Sequence, residues 1–286
     1  MIYLRRYKMQ TKLITLSILA SITTTANALT FVSVINGTVG SDTNPSENIV
    51  VGDISTPPPA NSCVGNELTK SELKTMIDNG EDVTKACTGK ITDFSHLFQL
   101  NETFNQDISN WDVSQGVKFI GMFEGAVSFN QDISRWNVSN SNDFRFMFQG
   151  ASSFNQPLGD WDVSNAKMFT GMFSMASSFD QDLSKWTVSK GTHFNLMFSD
   201  AISFNQPLNN WNVSNGEWFT CMFSNAISFN QPLSNWNVSK GTDFECIFSN
   251  ANSFDQDISN WTIMEGANVV YADESSPIEN TSKSPF

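Results

Sequence analysis

Histidine is nearly missing from this chain. His96 and His193 are the only two in 286 residues, and they lie far apart. Neither a G-x-S-x-G elbow nor an H-E-x-x-H segment occurs, so the familiar serine and zinc hydrolase constellations have no parts to assemble from. No Cys-x-x-Cys pair is present either, which argues against a structural zinc. An enzyme needs a nucleophile, a base and an orienting group converging in a pocket. Nothing in the chain offers that set, so a non-catalytic protein without a cofactor is expected. Positive charge is scarce as well: 16 Lys and Arg stand against 29 Asp and Glu, a formal charge of −13. Such a surface repels phosphate backbones and anionic headgroups, which excludes nucleic acid as a partner. Tyrosine is rare, three against 24 Phe and 8 Trp, so most rings carry no hydroxyl and serve to fill volume. Long apolar runs are absent too. The longest, residues 13–22, has ten residues, where about 20 are needed to span a bilayer.

That short run explains the N-terminus. Arg5, Arg6, Lys8 and Lys12 precede it, and Ala26-Asn27-Ala28 follows as a small-x-small cleavage site, the three-part pattern of a signal peptide over residues 1–28. Its removal would take the formal charge from −13 to −17, start the mature protein at Leu29, and leave no integral membrane segment. Residues 29–62 are rich in Ser, Thr, Asn and Gly and contain Thr56-Pro57-Pro58-Pro59, which reads as a flexible tether.

From residue 94 to residue 263 the chain repeats with a period of 25 and no insertion. Trp stands at 111, 136, 161, 186, 211, 236 and 261, and Phe at 104, 129, 154, 179, 204, 229 and 254. A second Phe series runs through 94, 119, 144, 169, 194, 219 and 244, and only Trp218 falls outside the Trp series. Equal units in equal environments mean a stack, so a solenoid is expected. Phe119, Met122, Phe123 and Ala126 lie at i, i+3, i+4 and i+7, the spacing of one face of a short helix. Ile108, Trp111 and Val113 end in the alternation of a short strand. One strand plus one helical turn per unit is the layout of a leucine-rich repeat; a β-solenoid is the alternative architecture.

The repeat F-N-Q-[DP]-[LI]-S-N-W-[DN]-V-S followed by M-F-x-x-A resembles that of the BspA-like family of bacterial leucine-rich-repeat surface proteins, over about residues 66–263. Members in mycoplasmas and Listeria are often surface lipoproteins, and a few are described as adhesins. The resemblance therefore implies surface location and interaction. Two departures stand out: Phe94, Phe119 and their equivalents replace a frequent Met, and the lipoprotein Cys is missing, so no lipid anchor is implied.

An open stack needs caps. Residues 63–93 supply the first, with Thr69-x-x-Glu72 as a capping box and Leu73, Met76 and Ile77 on one helical face. At the other end, within residues 264–286, Val269, Val270 and Tyr271 are expected to cover the last coil, and the chain from Asp273 onward reads as a solvated tail. Cysteines in an exported chain suggest disulfides. Cys63 and Cys87 flank the capping helix and are expected to be joined. Cys221 and Cys246 occupy one position of successive units, inside the expected helix. Packed helices hold equivalent Cα atoms beyond about 7 Å, so these two are expected to stay unbridged.

The invariant Gln106 series reads as a ladder of side-chain amides between coils. The Asp107 series is no calcium site, because Pro157, Pro207 and Pro232 replace it in three units. If Trp and Val point inward, the residues between them point out along the strand face. Asp112, Asn137, Asp162, Thr187, Asn212 and Asn237 form one column there, flanked by Arg135, Asp160, Lys185 and Asn210. This strip is the expected binding surface for a protein or glycan partner outside the cytoplasm, secreted or on the cell surface. A structural spacer without a specific ligand is the competing reading.

Overall fold

The computed structural model describes residues 63–286; the expected signal peptide and the whole of the expected tether lie outside them. The first element is helix α1, Lys70–Asp78. Its capping box closes in both directions, Thr69 N–H donating to Glu72 and Glu72 N–H to Thr69 Oγ1. Leu73 and Ile77 are its buried face, and Cys63 is joined to Cys87 behind it, with Cα atoms 4.9 Å apart.

Beyond α1 the chain winds into a solenoid of 25-residue coils. Parallel bridges join Asp93 to Lys118, and onward through Asp143, Met168, His193, Trp218 and Asp243 to Asn268, giving eight rungs. Around each rung alternate backbone amides bond to the next coil: Phe119, Gly121, Phe123 and Gly125 N–H donate to the carbonyls of Asp143, Arg145, Met147 and Gln149 at 2.7–3.0 Å. The amides between them turn back on their own coil, Met122 to Phe119, Glu124 to Gly121 and Ala126 to Phe123.

The strand and the helix expected in each unit do not form. Among the described residues α1 is the sole helix, and each coil contributes an isolated bridge residue instead of a strand. The spacing did report correctly which side chains go inward, since Phe119, Met122, Phe123 and Ala126 are all fully buried. It misreported the backbone. Two residues per coil sit in the left-handed region, Gly121 (φ +55°) and Gly125 (φ +69°) in this one. They interrupt the helical path, so the amides face the neighbouring coil rather than the carbonyl four residues back. The expectation for the second cysteine pair fails for the same reason. Cys221 and Cys246 are bridged, with Cα atoms 4.5 Å apart, a separation that a disulfide accepts and packed helices do not provide.

Inside the coils the rings form columns. Successive members of the Phe123 series stack at 5.2–5.7 Å, and those of the Phe129 series at 5.8–6.1 Å. Every repeat Trp is 2–4% exposed. A buried indole must still satisfy its N–H. Each one does so through the carbonyl 28 residues earlier in the preceding coil, as in Trp186 to Leu158 and Trp211 to Leu183 at 2.8 and 2.9 Å.

The Phe119 column shows how tight this packing is. A Cβ added to Gly191, Gly216 or Gly241 would run into the ring of Phe194, Phe219 or Phe244. Where Ser141 and Ala166 take that position, Phe119–Phe144 and Phe144–Phe169 widen to 5.8 and 6.2 Å with interplanar angles of 15° and 21°. Phe194–Phe219 and Phe219–Phe244, lying over glycines, keep 5.6 and 5.4 Å with 10° and 4°. Gly216→Val is therefore expected to lower stability by about 1–3 kcal/mol, the usual cost of overpacking, while Ala166→Gly changes little. Urea denaturation midpoints decide it; a valine variant as stable as the parent would mean the column has slack.

The C-terminal cap departs from expectation. Val269, Val270 and Tyr271 are 37%, 51% and 61% exposed, and the cover comes from Ala272 and Ile278, both buried. Phe286 adds to it, its ring 5.9 Å from Phe244 and 6.4 Å from Trp261. The eighth rung explains the swap. Cys246 N–H donates to Val270 and Phe248 N–H to Ala272, so residues 269–271 continue the outer surface and Ala272 is turned in. The segment from Asp273 folds back over the last coil rather than standing in solvent. The Lys283–Asp255 ion pair at 2.7 Å fastens it.

Candidate functional site

The expected strip lies on the surface but at turns, not along a strand. Asp112 is half-buried; Asn137, Asp162, Thr187, Asn212, Asn237, Arg135, Asp160, Lys185 and Asn210 are exposed. Most of the first column is occupied locally. Asp112, Asn137, Asp162, Asn212 and Asn237 each accept the backbone N–H two residues on, at 3.0–3.1 Å. These are Asx turns, a geometry that short polar side chains serve best. Hydrogen bonds from Ser164 hold the Asp162 carboxyl below its ordinary range. The limited variation along this strip thus has a turn-forming cause. In the flanking column, Lys185 pairs with Asp160 at 2.8 Å, both side chains largely exposed.

The other polar columns are structural as well. Asp107, Asp132, Asp182 and Asp257 each accept the N–H of the serine two residues on, and proline, another turn former, replaces them elsewhere. The Gln series does link the coils, though not amide to like amide. Gln131 donates to Asn105 Oδ1, which also takes Asn130 N–H, and the arrangement recurs from coil to coil.

Wider chemical variation lies on a different surface, the ladder face, although Asp93, Asp143, Asp243 and Asn268 there accept the N–H two residues on, as the strip residues do. Its rung positions read Asp93, Lys118, Asp143, Met168, His193, Trp218, Asp243 and Asn268. Two residues further on stand Ser95, Ile120, Arg145, Thr170, Asn195, Thr220, Glu245 and Val270. Acid, base, amide, hydroxyl, aliphatic and aromatic side chains follow one another there, while the inward Phe between the two columns is constant through seven coils. Trp218 is 40% exposed, unlike every repeat Trp, and its ring lies 5.9 Å from His193 at 18°. The Cys221–Cys246 bridge ties two coils of this face together. Sequence reasoning missed the face because the residues around each Phe were assigned to a helix; Trp218 standing outside the Trp series was the available signal.

Among the described residues, no group of three or more His, Cys, Asp or Glu is gathered to hold a metal, and no helix is long and apolar enough to cross a membrane. Residues 70–186 and 158–261 match, in two overlapping stretches, the family described as "Mycoplasma protein of unknown function, DUF285". The two stretches together take in about two thirds of the chain. No curated protein and no solved structure matches it.

Proposed function

The chain belongs to the DUF285 family, and from that premise we propose that it is an exported, non-catalytic interaction protein whose ladder face binds a protein or glycan partner. One observation carries the reading: side-chain chemistry changes more from coil to coil on the ladder face than on the outer strip, over a core that is nearly invariant. A scaffold that keeps its core and varies one exposed surface is built for recognition. The resemblance to BspA-like surface proteins supports a place at the cell surface. So do the signal pattern at the N-terminus and the two disulfides, which persist in oxidising surroundings. In architecture we read the coil as nearer to a narrow β-solenoid than to a leucine-rich repeat, because its cross-coil hydrogen bonds run along the turn segment.

Two measurements test this. Exported protein should carry Leu29 at its N-terminus; an intact Met1 or Met9 on protein retained in the cytosol would sink the export half. The full-length mature protein should also bind selectively within panels of immobilised matrix proteins and glycans. No binding in either panel would favour a structural spacer instead.

A further inference from the structure

We propose that the C-terminal half of the ladder face, centred on Trp218, seats a lysine- or arginine-bearing segment of a partner protein. This rests on the reading of the chain as an interaction protein and names the chemistry of what it binds. The first support is Trp218 itself. The seven repeat Trp residues are 2–4% exposed, whereas Trp218 presents 40% of its surface to solvent. His193 stacks against one side of its ring. On the other side the next coil places Asp243 at the same rung position. A flat indole beside a carboxylate is a seat for a guanidinium or ammonium group, which gains from the ring face and from the acid together.

The second support is an asymmetry of charge. The ladder segments of the first four coils, 92–100, 117–125, 142–150 and 167–175, carry three acids and three Lys or Arg. The next four, 192–200, 217–225, 242–250 and 267–275, carry six acids and no Lys or Arg. Glu217 adjoins Trp218 in sequence, and Asp243 and Glu245 stand on the following coil. Asp243 accepts Glu245 N–H through Oδ1, one bond to a carboxylate that can accept several.

The same charge discriminates among occupants. A second copy meeting this surface through its own equivalent would set six acids against six. Nucleic acid and anionic lipid are repelled likewise. A neutral glycan would use the ring without using the charge. A basic protein segment uses both.

The test is selection of a random dodecapeptide library on the full-length mature protein with both disulfides intact. Selected peptides should be enriched in Arg and Lys, and their binding should weaken as salt screens the exposed charges. Trp218→Ala should reduce it by roughly 10-fold and Trp218→Phe by about threefold, in keeping with the weaker cation attraction of phenyl. Glu217→Gln with Asp243→Asn should also reduce it, while Asn137→Ala with Asn212→Ala, on the outer Asx-turn strip, should not. Because Trp218 is solvent-exposed, unchanged thermal unfolding of its variants separates lost binding from lost fold. Peptides without basic enrichment, or bound equally by Trp218→Ala, overturn the inference. Glycan binding that depends on Trp218, without peptide binding, overturns the basic-segment assignment and leaves the broader interaction reading standing. Absence of both overturns the two together.

Discussion

Replacing Trp186 with alanine is expected to destabilise the solenoid by about 3–5 kcal/mol, the range for truncating a large buried aromatic. The residue sits mid-stack and is 3% exposed. Its ring stacks on Trp211 at 6.2 Å and touches Phe169 and Phe173 within its own coil at 6.2 Å. Its indole N–H donates to Leu158 in the coil before. Alanine would leave a void lined by rings and take from the Leu158 carbonyl one of its two donors, the other being Trp161 N–H. Each coil contacts only its neighbours, so a mid-stack defect also weakens the coupling between the halves. Trp186→Phe should retain most of the packing and lose the hydrogen bond, a cost of about 1–2 kcal/mol. Asn210→Ala, exposed on the outer strip, should cost less than about 0.5 kcal/mol. Guanidinium denaturation of the three variants gives the ranking. Equal losses for Trp186→Ala and Asn210→Ala would show that the columns do not carry the stability assigned to them.

The second large effect is expected at the N-terminal disulfide. Cys63 and Cys87 are 24 positions apart, and opening a loop of that size releases chain entropy equivalent to about 3 kcal/mol. The bridge also holds the strap before α1 in place, where Val64 N–H donates to Lys85 and Leu68 N–H to Cys87. The double variant Cys63→Ser with Cys87→Ser should lower the denaturation midpoint and raise hydrogen exchange first at α1, then at the first coil. A midpoint unchanged from the parent would show that the cap is held by its apolar contacts alone.

Much of this architecture is legible in the sequence because tandem repetition exposes it. A Trp every 25 residues must meet the same surroundings each time, which makes the stack, the core residues and the capping box readable without coordinates. The coil's internal path is harder to read. Leu196, Cys221 and Cys246 adopt positive φ, a conformation with no propensity signal in these residue types. Without it, Phe-x-x-Met-Phe-x-x-Ala reads as a helix. The error carried over to the site: once the turn segment was taken for a helix, the residues beside Trp and Val became the exposed strand face. The cap erred differently. Val269, Val270 and Tyr271 look like a plug by hydropathy, yet the register of the eighth rung turns them outward and leaves the covering to Ile278.

The indole hydrogen bonds have a consequence for how such a molecule changes over time. Each repeat Trp N–H is given to the unit before, and the matching carbonyl is offered to the unit after, so this joint recurs along the stack, with the Cys221–Cys246 bridge added at one junction. Away from the Cys221–Cys246 junction, a recombination event that copies or excises one 25-residue unit re-forms an equivalent joint at the cut, and the two caps never register the difference. The eight rungs now span about 34 Å. Each gained or lost unit would alter that reach by about 5 Å and add or remove one row of ladder-face side chains. Reach is thereby uncoupled from folding, and selection can lengthen the surface without redesigning its core.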